Sequence, residues 1–196
     1  MIICSGLHNT NLRLRPRVFY LFHRFIKEDR NEISPDVAAS LLDNIRDLLS
    51  IQVEMPELEE NERDPLTEAV NTGSLFDSQL YLFETAGTLV SLFYKTPERA
   101  SALLLSVVKP LLDQLSANLQ AVKGPEDILP ILTIHHDIMA LGSVAKGYPD
   151  YPSRPVHESF IPPPLDVFSQ VAQAILLSLE AMNVFRVVRD AVRTGA

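Results

Sequence analysis

The chain has 196 residues and a mass of 21.9 kDa, with 46% apolar residues, a net charge of −8 and a single cysteine, Cys4. That apolar share excludes a wholly disordered chain, and one cysteine excludes a disulfide framework or a thiolate zinc site and fits a reducing compartment. The acidic balance argues against general nucleic-acid binding, which needs clustered Lys and Arg, and favours a basic protein partner.

No uninterrupted run of 18 apolar residues occurs, so the sequence predicts no membrane insertion. Residues 1–7 are apolar but too short for a signal peptide, and read as the remnant of a helix. The first full helix is expected over residues 15–29. There Val18, Leu21, Phe22, Phe25 and Ile26 recur at helical spacing. Pro16 falls in the first turn, where a missing N–H costs nothing. Arg13, Arg15, Arg17, Arg24 and Lys27 concentrate positive charge in this segment. Arg17 and Arg24, seven apart, share a face with Lys27 and, if the helix reaches so far, with Arg13. Such a stripe could hold RNA phosphates, which Arg grips bidentately. The plainer reading is a solvated face balanced by Glu28, Asp29 and other acids.

Ser34-Pro35-Asp36 opens a second helix, with Ser34 as cap and Pro35 at the first helical position. It is expected to reach about residue 50, with Leu41, Leu42, Ile45, Leu48 and Leu49 apolar. Residues 52–73 break the pattern. Their run of acids, including Glu57, Glu59, Glu60 and Glu62, leaves little to bury and predicts a mobile acidic loop. The loop is either a solvated insertion or a clamp for a basic partner.

A third helix is expected over about 77–93, with an apolar stripe so wide that it implies neighbours on several sides. Gly87 within it would permit close helix approach. Thr96-Pro97 repeats the cap-plus-proline start, and the fourth helix should kink at Pro110. Gly124-Pro125 ends that hairpin. A fifth helix reaches about residue 144, and the proline-rich residues 147–164 form an extended linker. Helix six is expected over 165–181, with Phe168, Val171, Ile175 and Leu179 inward. A partial seventh begins near Asn183 and covers 184–194. The pairs are then 15–50, 77–119 and 125–182. Apolar patterning at both ends predicts a piece of a longer array, prone to self-association without capping repeats.

Signals for chemistry are weak. Glu84 lies in a mostly apolar helix and would pair with an Arg on a neighbour, since a buried carboxylate needs a partner or a proton. Adjacent His135 and His136 point about 100° apart and cannot chelate one ion well, which predicts a core-edge His beside an exposed one and no metal. Ser-Gly pairs lack the setting of a nucleophile elbow, and no phosphate-cradling glycine loop occurs. No catalytic residue, cofactor or small-molecule substrate is therefore expected. Tyr148, Tyr151 and Phe160 could stack on exposed bases; packing of the linker onto the helices is the plainer account.

The pairs lack the strict consensus of tetratricopeptide or ankyrin arrays and resemble HEAT repeats, irregular helix pairs of about 40–47 residues. Residues 187–192, Val-Val-Arg-Asp-Ala-Val, resemble the second-helix signature of such repeats. The fold expected is thus all-α, an α-solenoid of irregular HEAT-like antiparallel pairs. More specifically, residues 13–27 (RLRPRVFYLFHRFIK), 42–49 (LDNIRDLL), 80–90 (LYLFETAGTLV) and the stretch from Thr96-Pro97-Glu98-Arg99 to Pro110-Leu111-Leu112 resemble, in order, helices from the middle of the exportin-T family of karyopherins. The resemblance implies a shuttling receptor that carries mature tRNA from nucleus to cytoplasm with Ran-GTP, passes nucleoporins and catalyses nothing. It implies that the basic stripe meets tRNA and the acidic loop meets Ran or another protein. The alternative is a scaffold for protein partners only.

Overall fold

The computed structural model describes residues 6–9, 11, 13–53, 75–124, 126–149 and 162–194, the side chains of 184–194 excepted. Six helices account for most of these: α1 (Arg15–Asp29), α2 (Pro35–Ile45), α3 (Leu75–Ser91), α4 (Pro97–Ala121), α5 (Ile128–Lys146) and α6 (Leu165–Thr194). No strand occurs among the described residues. Ser34 caps α2, its Oγ accepting from the Val37 N–H at 3.4 Å, with Pro35 at the first position. The last turn of that segment is a 3-10 helix, Arg46–Leu49. Thr96 starts α4 differently from the expectation. Its hydroxyl donates to the Phe93 carbonyl at 3.2 Å and makes no cap bond to α4.

Helices α1, α3 and α5 lie side by side and run parallel. Tyr20 meets Tyr81 and His23 meets Thr85, while Phe76 meets His136 and Thr88 meets Gly147, so contacts advance in the same sense along each pair. Helix α2 packs on α3, and α4 packs on α3, α5 and α6. This is an all-α solenoid with α3 in its middle. The nine residues Leu82 to Val90 are all buried, since α3 has neighbours on every side. Space is so short that a Cβ at Gly87 would stand 2.0 Å from the Val144 carbonyl oxygen, and one at Gly147 would stand 2.1 Å from the Glu84 carbonyl oxygen. Glycine at both positions lets α3 touch the end of α5 backbone to backbone.

Three expectations are corrected. In α1 the buried face is Phe19, Phe22, His23 and Ile26, whereas Leu21 and Phe25 are 52% and 45% exposed. Apolar residues cover more of the circumference of α1 than its neighbours occupy, and contact with α3 decides which part is covered. The break expected at Asn183 is absent, and α6 continues to Thr194. Asparagine costs only a fraction of a kcal/mol inside a helix, and no Pro or Gly stands nearby to stop it. Within α6, Val167 and Val171 are buried but Leu179 is exposed, together with Leu176 and Leu177. Finally, although no apolar run reaches 18 residues, α4, α5 and the part of α6 over Leu165–Asn183 are long and apolar enough to cross a membrane by length and composition alone. In α4 and α5 the apolar residues Leu104, Val108, Leu111, Leu132, Ile134 and Leu141 instead join the core shared with α3.

Candidate functional site

The basic stripe divides once the chain folds. Arg13 precedes α1 and so does not continue its face. Arg15 turns back, its Nε donating to the Asn9 carbonyl at 2.8 Å. Arg17 and Arg24 point outward, opposite the buried face. Arg24 donates to Glu28 one turn on at 2.7 Å, a solvated pair of small energy. Among the described residues no ion pair engages Arg13 or Arg17. The acidic residues Glu57, Glu59, Glu60 and Glu62 lie outside the described residues, as do Tyr151 and Phe160.

Lys27 belongs to a different arrangement, centred on Glu84. This carboxylate is 5% exposed in the middle of α3. Its Oε1 accepts from Lys27 Nζ of α1 at 3.0 Å and stands 3.6 Å from His23 Nε2, and its Oε2 stands 3.1 Å from Lys146 Nζ of α5. The partners are therefore two lysines and a histidine, where the sequence suggested an arginine. Both lysines keep more than half their side-chain surface in water, so they neutralise Glu84 without being desolvated themselves. Burial pushes the Glu84 carboxyl up, but the hydrogen bonds and charges of Lys27 and Lys146, with His23, more than reverse that, and it lies below its ordinary value. Burial lowers His23; Glu84 opposes this and the two lysines add to it, so the imidazole stays neutral at pH 7. One polar clasp thus joins α1, α3 and α5. Lys146 escaped sequence reasoning because it is 62 residues from Glu84; the weak signal was its place in the last turn of α5.

Two tyrosines border the clasp. Tyr20 and Tyr81 are 42% and 36% exposed and meet edge to face with ring centroids 5.4 Å apart. The tilted ring of His23 stands 5.4 Å from Tyr81 on the other flank. Neither tyrosine was singled out from the sequence, since each reads there as one more apolar position.

On α5, His136 is buried and stacked on Phe76 at 3.8 Å. His135 is half-buried rather than exposed, its Nδ1 3.4 Å from that of His136. Burial, with the adjacent His135, lowers His136 to about 4. Asp137 is fully buried with both carboxyl oxygens unpartnered among the described residues, and burial pushes it up to about 7. Sequence reasoning weighed Asp137 only as a metal ligand. Among the described residues no three His, Cys, Asp or Glu side chains converge as a metal site. Tyr148 packs edge-on against Phe168 at 4.9 Å, with its buried hydroxyl unpartnered and raised by burial. A groove of about 510 Å³ between Tyr94, Pro97, Tyr148 and Pro162–Leu165 is walled mainly by apolar groups and brings no acid–base pair together.

The family model described as Exportin-T matches residues 1–195. The chain is 60% identical over 194 residues to Exportin-T of Laccaria bicolor, and 49% identical over 194 residues to Exportin-T of Coprinopsis cinerea. Each alignment covers 98% of this chain and 18% of the relative. Exportin-T of Mycosarcoma maydis is 38% identical over 191 residues, 96% of this chain and 17% of that protein. The chain thus spans about a fifth of the length of these curated relatives.

Proposed function

This chain belongs to the exportin-T family, and from that premise we propose that it is one length of a karyopherin-type nuclear export receptor. The receptor carries mature tRNA from nucleus to cytoplasm in complex with Ran-GTP and works by shape and charge, not by catalysis. The observation that carries this reading is the likeness to proteins named Exportin-T across residues 1–195. The solenoid supports it, since stacked helix pairs of HEAT type present the long curved surfaces on which such receptors hold cargo. Arg17 and Arg24 supply outward positive charge for the tRNA backbone, with Arg13 in the segment before α1. Arg15 and Lys27 are tied to Asn9 and Glu84. The acids Glu57, Glu59, Glu60 and Glu62 are assigned to Ran or another protein partner, and the shuttling receptor passes nucleoporins on its way.

Filter binding of tRNA to the complete protein, with and without Ran-GTP, tests the reading. Cargo and Ran-GTP that share the cost of closing the superhelix bind cooperatively, so Ran-GTP should tighten tRNA binding by roughly 5–150-fold. Binding indifferent to Ran-GTP removes the exportin assignment. It would leave the second reading, a scaffold for protein partners, which the net charge of −8 favours.

A further inference from the structure

We propose that the outer face shared by α1, α3 and α5 carries a seat for one unpaired nucleotide, with Tyr20 and Tyr81 taking the base and Lys27 and Lys146 taking the adjoining phosphate. The proposal rests on the tRNA reading above and adds to it a site and a preference for RNA with a single-stranded end.

The geometry has three parts. Tyr81 is exposed yet held by two rings, Tyr20 edge-on and His23 tilted, each with its centroid 5.4 Å away. A ring fixed before binding loses little rotamer freedom when a base stacks on it. Stacking of this kind accepts any base, because every base has a π-face. Next, Lys27 and Lys146 reach from separate helices to opposite oxygens of Glu84, at 3.0 and 3.1 Å. Glu84 therefore fixes two ammonium groups about one carboxylate width apart, while both stay largely in water. Two lysines against one glutamate leave positive charge at this spot in a chain of net charge −8. Finally, Tyr81 and Glu84 are three residues apart on α3, about 4.5 Å along the axis at 1.5 Å per residue. That offset is close to the separation of a base from its own backbone phosphate. Arg24, hydrogen-bonded to Glu28, and Arg17 continue the outward face of α1, where the backbone would leave the seat.

An RNA hairpin with a four-nucleotide single-stranded 3′ tail containing 2-aminopurine, compared with the same hairpin blunt-ended, tests this on the full 196-residue chain. The tailed hairpin should bind more tightly, and the 2-aminopurine emission should fall as it stacks. Tyr81→Leu should abolish the quench and weaken the tailed hairpin about 10-fold, the scale of one lost base stack, while leaving the blunt hairpin unchanged. Tyr81→Phe keeps the ring and should retain both signals, which separates a lost platform from a misfolded chain. Lys146→Gln should reduce the salt dependence of tailed binding by about one ion.

Wild-type binding of both hairpins with equal affinity and no quench overturns the seat and leaves the tRNA reading standing. Loss of blunt and tailed binding together in Tyr81→Leu, with Tyr81→Phe normal, overturns it as well. Binding of neither hairpin and of no tRNA removes both proposals. Displacement of the tail by polyglutamate at equal charge would show the face to be an acidic-peptide site instead.

Discussion

Two acids are buried in this solenoid, and their surroundings drive them in opposite directions. Glu84 is met by Lys27, Lys146 and His23 and lies below its ordinary value. Asp137, on the neighbouring helix, meets no partner among the described residues and is pushed up to about 7. Burial penalises the charged form in both cases. What differs is position. Glu84 sits where cations can reach it from α1 and α5 while keeping their own hydration. Asp137 lies on the face of α5 that is covered by packing, beside buried Thr133, Ala140, Leu141 and Val144. A rim carboxylate becomes a fastener, and an interior one becomes a cost that grows as it ionises.

The comparison breaks most completely if α3 and α5 are forced apart, since both sites depend on their contact. Gly87→Val places atoms inside the Val144 carbonyl and should destabilise the chain by about 3 kcal/mol or more, by overpacking against backbone that cannot yield. Chemical denaturation of wild type and variant measures this, and a loss under about 1 kcal/mol would mean the helices are not so closely apposed.

Asp137→Asn sharpens the contrast through pH. Between the ordinary aspartate value and about 7, the folded chain holds a proton that the unfolded chain has released, so wild-type stability falls as pH rises. The variant lacks this dependence. It should match wild type near pH 4 and exceed it by on the order of 2 kcal/mol at pH 8, at about 1.4 kcal/mol per pH unit over most of the window. Urea midpoints at the two pH values read the difference; equal offsets at both would remove the ionisation account.

Glu84→Gln has the opposite sign and the smaller effect. A lowered carboxyl contributes stability that is present above its unfolded value and lost as pH falls through the folded one. The variant should lose about 1 kcal/mol at pH 7, because its lysines remain hydrated, and the gap should close on acidification. A gap that persists at pH 3 would indicate a packing defect in place of a lost charge pair.

Helix starts at Pro35 and Pro97 and the close-approach role of Gly87 were legible because they depend on the residue and its immediate neighbours. The buried face of α1 was not. Leu21 and Phe25 satisfy the helical period as well as Phe19 and Ile26 do, and periodicity does not fix rotation when apolar residues spread round the helix. The same ambiguity hid Leu179, expected inward and found exposed. Of the basic residues named from sequence, Arg17 and Arg24 point outward, but Lys27 proved to be bound to Glu84 across 57 positions. Asp137 carried no local sign of burial at all, since a carboxylate in an amphipathic helix ordinarily faces water.

The sequence by itself determined that this chain forms paired helices, where several of them begin, and to which family it belongs. Those properties reside in local spacing, capping chemistry and the order of short segments. Only the tertiary structure decided which charges are free and which are committed, and which tyrosines stand beside them. Such pairings join residues tens of positions apart, and they exist only once α1, α3 and α5 lie in register.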